Sequence, residues 1–461
     1  MATKQGPQST ALDDRGFPRF WDEERETMPR DQRDELVLAR MQHQLHYVYE
    51  QLPFYRRHYD AHGFHPDDVK SLADFTNKVP VITKKMLVAD QLEHPPFGSY
   101  TATTSMADIA RIHGSSGTSG VPTLYAVSQK DWDRAADVHA MAQWCGGIRP
   151  DDLVQVGFPF GLFFGGWGTV QGVERIGAAL FPLGVAESEK HLEFIQRLQP
   201  RVFSGTPSYC MHLISVAQKM GINLRDSSVE VLLVGGEPGG SLPGTRQILE
   251  EAWGATLIDA GSTSEMYPFQ TNVGCPSKSG THLITDEVFT EIVDKDDLNV
   301  AVDDGERGAI IYTHLWRESQ PMIRFAPGDE SYISHEPCGC GRTYPRLPEG
   351  VLGRLDDMLV IRGANIFPSA IETALRSVGG FGPEFEIRVT KRGALDEILV
   401  RAEHDPAVSA TAGSHDELKA QGEVMLKRMT GIRVPIEVIE PGSLPATVFK
   451  ARRVVDERPR P

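Results

Sequence analysis

The strongest constraint on the fold is an alternation that sets in near Asp151. Short β-rich runs at Leu153 to Phe158, Arg201 to Phe203, Val229 to Val234 and Ala255 to Ile258 take turns with helical stretches at Glu189 to Leu198, Ser208 to Met220 and Gly244 to Trp253. Strands separated by helices are joined by crossovers rather than hairpins, so the order predicts an α/β fold built on mainly parallel sheet. Glycine clusters fall at the ends of several of these strands, where ligands of open α/β sheets collect, and a nucleotide-sized site is expected there. Upstream, Leu38, Met41, Leu45, Val48 and Leu52 recur at three- and four-residue steps within Arg33 to Leu52. That is a single apolar helical stripe, ended by Pro53.

After Gly353 the texture changes. A β-hairpin is predicted from Glu384 to Val389 and Glu397 to Ala402, a helix near Glu417 to Met429 and a strand near Val434 to Ile439. A chain of 461 residues exceeds one hydrophobic core. We therefore expect a large N-terminal domain over 1–353 and a small α+β C-terminal domain over 354–461, divided at the turn Gly353-Arg354-Leu355-Asp356-Asp357.

Composition excludes several function classes. No run of eighteen apolar residues could cross a bilayer, and the N-terminus has no apolar core of the secretory kind, so the cytoplasm is the expected compartment. A formal charge of -16 argues against non-specific nucleic-acid binding. It does not exclude anionic substrates, because a phosphate can be held by backbone N–H groups and a few local cations. Five cysteines do not make a disulfide scaffold, and two of them form the tight pair Cys338-Gly-Cys340.

The residue patterns that carry chemistry are local. Gly114-Ser115-Ser116-Gly117-Thr118-Ser119-Gly120-Val121-Pro122 is a run of small residues whose backbone can approach phosphate closely and whose hydroxyls add donors. It lacks the Gly-Lys-Ser/Thr ending of a Walker loop, and a surface loop of the same composition is the plain alternative. Cys275, His282, Cys338 and Cys340 can form a Cys₃His set, two ligands from each of two loops, suited to a closed structural Zn²⁺ site. Reduced buried cysteines beside an ordinary histidine are the alternative. Cys145 and Cys210 are expected in the core.

Seven stretches in order resemble the phenylacetate-CoA ligase family of adenylate-forming enzymes. They are Phe20-Trp21-Asp22 with Leu52-Pro53-Phe54-Tyr55-Arg56-Arg57; the Ser/Thr/Gly loop; Gly157-Phe158-Pro159-Phe160-Gly161-Leu162-Phe163 with Gly165-Gly166; Gly235-Gly236-Glu237-Pro238; Pro321-Met322-Ile323-Arg324-Phe325 with Gly328-Asp329; Gly353-Arg354-Leu355-Asp356-Asp357-Met358; and Arg362-Gly363-Ala364-Asn365-Ile366-Phe367-Pro368-Ser369. The resemblance implies an AMP-forming acid:CoA ligase that activates a small aromatic acid with ATP and passes it to CoA. It implies that Ser115, Ser116, Gly117, Thr118, Ser119 and Gly120 wrap the pyrophosphate end of ATP, that Gly235, Gly236, Glu237 and Pro238 line adenine, and that Asp329 accepts from the ribose hydroxyls. It also implies that Arg354 lies near ribose and phosphate and that Asp356 is the hinge of the small domain.

Glu265 matches the family's Mg²⁺-associated glutamate, a hard oxygen ligand for an ion bridging phosphates. It follows Ser264 in Asp259-Ala260-Gly261-Ser262-Thr263-Ser264-Glu265, which lacks the family's tyrosine and is one residue longer. Val121 stands where relatives often carry lysine. Lys450, in Phe449-Lys450-Ala451-Arg452-Arg453-Val454, matches the catalytic lysine, with Phe449 replacing a usual glycine. By family position the acyl pocket runs along Phe158 to Trp167, where Phe160, Phe163, Phe164 and Trp167 stand among glycines expected to leave room for a ring; Tyr209 and Tyr267 are further wall candidates. A carrier-protein or amine acceptor, a non-catalytic ligand-binding relative and a homodimeric assembly stay open.

Overall fold

The computed structural model describes residues 7, 9–102, 105–115, 122–162, 164–267, 270–355, 358–361, 364–392, 395–405, 415–447 and 453–458. Its central sheet has eight strands in the order Arg346–Leu347, Thr281–Leu283, Asn272–Gly274, Thr256–Gly261, Val231–Gly235, Val202–Gly205, Leu153–Val156 and Ala179–Phe181. The five strands from Thr256–Gly261 to Ala179–Phe181 run parallel, as the strand–helix alternation requires. The remaining three pair antiparallel and form the other edge.

The helices between the parallel strands start and stop where their sequences direct. Pro207–Met220 opens with Thr206, whose hydroxyl accepts from the Tyr209 N–H, and with Pro207 in the first turn, where its missing N–H costs nothing. It stops at Gly221, which takes the left-handed conformation (φ 69°) that glycine tolerates best. The strand Val231–Gly235 is buried at every position, so its run of apolar residues needs no alternation.

A second sheet, which the sequence reading did not anticipate, runs Ile82–Thr83, Phe325–Ala326, Gly308–His314, Asp329–Ser331 and Gly353–Arg354, with Val288–Val293 also pairing Gly308–His314. The helix Arg30–Gln51 lays Val37, Met41, Leu45 and Val48 into one core with Ile310, Tyr312 and Phe325 of this sheet. Its apolar stripe therefore serves the second sheet.

The C-terminal region has its own core and its own sheet. Strands are ordered Ile436–Ile439, Leu395–His404, Phe381–Arg392 and Val454–Asp456. The expected hairpin is present and longer than read, with Ile387 opposite Val400. Helices Pro368–Val378 and His415–Thr430 contribute Ile371, Leu375 and Leu426 to a core that also holds Phe385, Ile387, Val400 and Ile436. Gly244 of the helix Pro243–Trp253 lies against this region, since a Cβ there would stand 3.1 Å from Cβ of Arg376. Among the described residues no helix is long and apolar enough to cross a membrane.

Candidate active site and cysteine–histidine centre

The hairpin Ile109–Gly114 and Leu124–Ser128 delivers both ends of the Ser/Gly loop to one place. Ser115 is buried, and its N–H donates to the Thr123 carbonyl at 3.0 Å. Its hydroxyl lies 2.9 Å from Thr123 Oγ1, and Thr123 Oγ1 in turn meets the Tyr125 hydroxyl. The Tyr125 hydroxyl donates to Glu265 Oε1 at 3.1 Å, and Lys84 Nζ lies 3.1 Å from the same oxygen. A continuous chain of contacts therefore joins the start of the loop to Glu265. Both contacts fall on Oε1, and no hydrogen bond from a described residue falls on Oε2. Lys84, Thr123 and Tyr125 were not picked out from the sequence. Ser116, Gly117, Thr118, Ser119 and Gly120 lie outside the described residues.

Glu265 is buried in a turn just past the strand Thr256–Gly261, where the Met266 N–H donates to the Thr263 carbonyl; Ser264 is half-buried in the same turn. One strand over, Gly235 ends Val231–Gly235, and a Cβ there would stand 2.2 Å from the Ala260 carbonyl oxygen, so no larger residue fits. Gly236 has φ +87°, which turns the chain, and Glu237 Oε1 accepts from the Ser208 N–H at 2.8 Å, tying the turn to the start of helix Pro207–Met220. Pro238 is exposed. Asp329 and Arg354 come together as register partners of the second sheet, and Arg354 donates to the Pro327 carbonyl at 3.3 Å. Asp356 and Lys450 lie outside the described residues.

The aromatic residues of the expected acyl pocket behave differently from one another. Phe164 and Tyr267 are fully buried with ring centroids 4.7 Å apart, and His113, next to the Ser/Gly loop, packs on Phe164 at 4.0 Å. Burial pushes the His113 pKa down to about 4, so the ring is neutral near pH 7. Tyr267 donates to Gln171 Oε1 at 2.6 Å. Phe160 and Trp167 are partly exposed, and Trp167 Nε1 donates to the Phe160 carbonyl.

Gly166 and Gly184 lie against the Phe160 ring, where Cβ atoms would stand 3.1 Å and 2.9 Å from it, whereas a Cβ at Gly161 would meet nothing within 4 Å. Tyr209, in helix Pro207–Met220, is buried and packs against His191, which bonds the Gly184 carbonyl. Phe163 lies outside the described residues.

Cys275, His282, Cys338 and Cys340 converge, with one ligand atom from each lying within 4.8 Å of the others, all four buried. Sulfur atoms of Cys275 and Cys338 are 3.7 Å apart, and Cys340 Sγ is 3.2 Å from His282 Nε2. A tetrahedral zinc shell with Zn–S bonds of about 2.3 Å has S···S edges of about 3.8 Å. The donor set fits that ion. His282 Nδ1 lies 3.3 Å from the Tyr344 carbonyl, which holds the proton on Nδ1 and turns the Nε2 lone pair toward the sulfurs. Cys145 and Cys210 are core residues as expected.

Comparison with known proteins agrees with this geometry. Residues 363–458 match the family model of the AMP-binding enzyme C-terminal domain. Phenylacetate-coenzyme A ligase of Escherichia coli (strain K12) is 33% identical over 436 residues, 94% of this chain and 97% of that protein. A crystal structure of 2-hydroxyisobutyryl-CoA ligase in the postadenylation state with R3-HIB-AMP is 39% identical, covers 99% of this chain and 96% of its own, and superposes with a TM-score of 0.91. The same ligase in the thioesterification state with 2-HIB-AMP and CoA, 40% identical over 99% of this chain and 96% of its own, gives 0.73. The chain belongs to the phenylacetate-CoA ligase family and is an AMP-forming acid–thiol ligase.

Proposed function

We propose that the chain activates a small aromatic carboxylate, an aryl or arylacetic acid, and transfers it to CoA. In the first half-reaction a carboxylate oxygen attacks the α-phosphorus of ATP and the bond to pyrophosphate breaks, leaving an acyl-adenylate. In the second, the CoA sulfur attacks the acyl carbon, its proton leaves, and AMP departs. Residues 115–120 grip the pyrophosphate end, Gly235 to Pro238 line adenine, Asp329 accepts from the ribose diol, and Arg354 stands near ribose and phosphate. Glu265 is the oxygen ligand for Mg²⁺, which when bound offsets charge on the phosphates. Lys450 meets the carboxylate and α-phosphate as charge builds. The observation that carries this reading is the chain Ser115–Thr123–Tyr125–Glu265–Lys84, which links the loop to a carboxylate with one oxygen to spare.

A second substrate reading, a short branched hydroxy acid, is favoured by the Phe160 ring filling the space over Gly166 and Gly184 and by the 39% identity to the 2-hydroxyisobutyryl-CoA ligase. Pyrophosphate exchange over aryl, arylacetic and short hydroxy acids, with CoA and a phosphopantetheinyl carrier protein offered in turn, separates these readings. AMP and pyrophosphate are the expected products; ADP and phosphate would end the proposal.

The division at 353/354, with the small domain rotating about Asp356 between half-reactions, accords with the drop in TM-score from 0.91 to 0.73 between two states of one ligase. Cys275, His282, Cys338 and Cys340 hold a structural Zn²⁺ that stabilises the fold by several kcal/mol, a modest share of the roughly 10–16 kcal/mol with which such shells bind zinc. Elemental analysis should give about one zinc per chain, absent from the double variant Cys338→Ser, Cys340→Ser.

A further inference from the structure

One arginine of the hairpin that leads into the Ser/Gly loop is held by aromatic rings and by no carboxylate. Burial alternates along the strand Ile109–Gly114, with Ala110 and Ile112 exposed and Arg111 and His113 turned inward, so these two share a face. Tyr125 lies on the same face, since it is the register partner of His113. The Arg111 guanidinium carbon is 4.2 Å from the ring centroid of Trp132, in helix Gln129–Cys145, and 4.7 Å from that of Trp167, in helix Phe164–Ile176. Trp132 in turn stacks on Tyr267, with centroids 5.7 Å apart and planes 9° from parallel. The chain has 63 acidic residues, yet no hydrogen bond or ion pair joins the Arg111 guanidinium to a described residue. Arg111 is only half-buried, so a ligand can reach it.

An indole ring attracts a guanidinium through its π face but offers no oxygen to the five N–H donors, which stay available. The charge is felt along the same face, where His113 is held neutral first by its burial and further by Arg111. A cation with donors to spare among aromatic walls suits a ring that carries an oxygen. Arg111 stands three residues, roughly 10 Å at about 3.3 Å per residue, from Gly114, where the strand meets the loop. In the reaction proposed above the reacting carboxylate lies at the loop end, beside the α-phosphorus, and the body of the acid extends away from it. We propose that Arg111 is a specificity-determining residue for the acid, donating to an oxygen substituent at the end of the acyl group far from the reacting carboxylate. The inference rests on the aromatic-acid reading of this site and narrows it to ring-oxygenated acids.

The test uses the full chain and matched acids: benzoate and phenylacetate, each beside its 3- and 4-hydroxy derivatives, assayed by pyrophosphate exchange. Wild type should prefer at least one hydroxylated acid to its parent by about tenfold or more in kcat/KM. Arg111→Met, which keeps a long side chain between the indoles, should lower kcat/KM for that acid by about 10–100-fold, mostly through KM, the scale of losing one hydrogen bond from a charged donor. The parent acid should change far less, so that the preference disappears. Arg111→Lys, which keeps the charge but not the fork of donors, should fall between wild type and Arg111→Met. If Arg111→Met does not fold, Arg111→Lys decides the matter alone, and full retention of the preference there overturns the inference. Equal losses for parent and hydroxylated acid would make Arg111 a clamp between two helices. A rise in KM for CoA with the acid preference intact would give its donors to the phosphates of CoA instead. Either result overturns the inference. A wild type that adenylates none of these acids ends the aromatic-acid reading and the inference with it; one that adenylates them without discrimination ends the role of Arg111 alone.

Discussion

Two buried carboxylates, one in each region of the molecule, are used in opposite ways. Glu265 in the large region receives Lys84 and Tyr125 on one oxygen and has no hydrogen bond from a described residue on the other. Glu384 in the small region has both oxygens engaged by Thr447 and Arg453. A carboxylate with an oxygen to spare can take a ligand, whereas a saturated one can only hold the chain. Burial, similar for the two at 4% and 6%, does not tell them apart; the hydrogen-bond ledger does.

The largest expected effect belongs to Lys450, the lysine proposed for adenylation. Lys450→Ala should lower adenylate formation by about a hundredfold or more, the scale of removing one preorganised charge stabiliser. Supplied acyl-adenylate should still give thioester at near wild-type rate. Equal loss of both half-reactions in a folded variant would make Lys450 a shared residue and would remove the functional side of the contrast.

Next comes the carboxylate with the spare oxygen. Glu265→Gln should lower adenylation by about 10–100-fold and raise the Mg²⁺ concentration needed for half-maximal rate, as loss of a metal-associated carboxylate does. Glu384→Ala, which removes a carboxylate with both oxygens engaged inside the protein, should leave that Mg²⁺ dependence where it is. If Glu265→Gln leaves it unmoved as well, both carboxylates are structural and the comparison collapses.

The smallest effect sharpens the picture. Tyr125→Phe removes one hydrogen bond to a charged acceptor, a change of about 1.5–3 kcal/mol, so adenylation should fall by roughly ten- to hundredfold at most and by less than in Glu265→Gln. Thioester formation from supplied adenylate should be untouched. A rate equal to wild type would mean that Lys84 alone orients Glu265.

Much of the fold was legible because its signals are local. The parallel strands are short apolar runs, their helices carry start and stop residues such as Thr206, Pro207 and Gly221, and the hairpin pairing Ile387 with Val400 joins neighbours in sequence. The second sheet was not legible, since it pairs Ile82 with Phe325 through strands of two residues, too short to carry a period, and its longer strands Val288–Val293 and Gly308–His314 are buried almost throughout and show no alternation. The site divides along the same line. Cys338 and Cys340 announce themselves by spacing, although their partner Cys275 is 63 residues from Cys338. Tyr125 reaches Glu265 across 140 residues as an ordinary strand tyrosine, and Lys84 sits in an unremarkable Lys-Lys pair. The packing of Gly166 against the Phe160 ring was not legible either, because spacing does not say which ring fills a gap.

The contacts from Ser115 to Glu265 have a direction. An ionised carboxylate only accepts, so the Tyr125 hydroxyl must point its proton at Glu265, Thr123 must point its proton at Tyr125, and Ser115 must point its own at Thr123. The Ser115 oxygen meanwhile accepts from the Thr123 N–H at 3.2 Å. Every hydroxyl proton in the row is thus oriented inward by one negative charge, and Ser115 has none to offer a phosphate. Ser115 therefore anchors the start of the loop, and its part in the pyrophosphate grip proposed above is to hold the loop in place. The polarity of the loop's foundation is thus set by a carboxylate in the turn after Thr256–Gly261, 140 residues from Tyr125 in sequence.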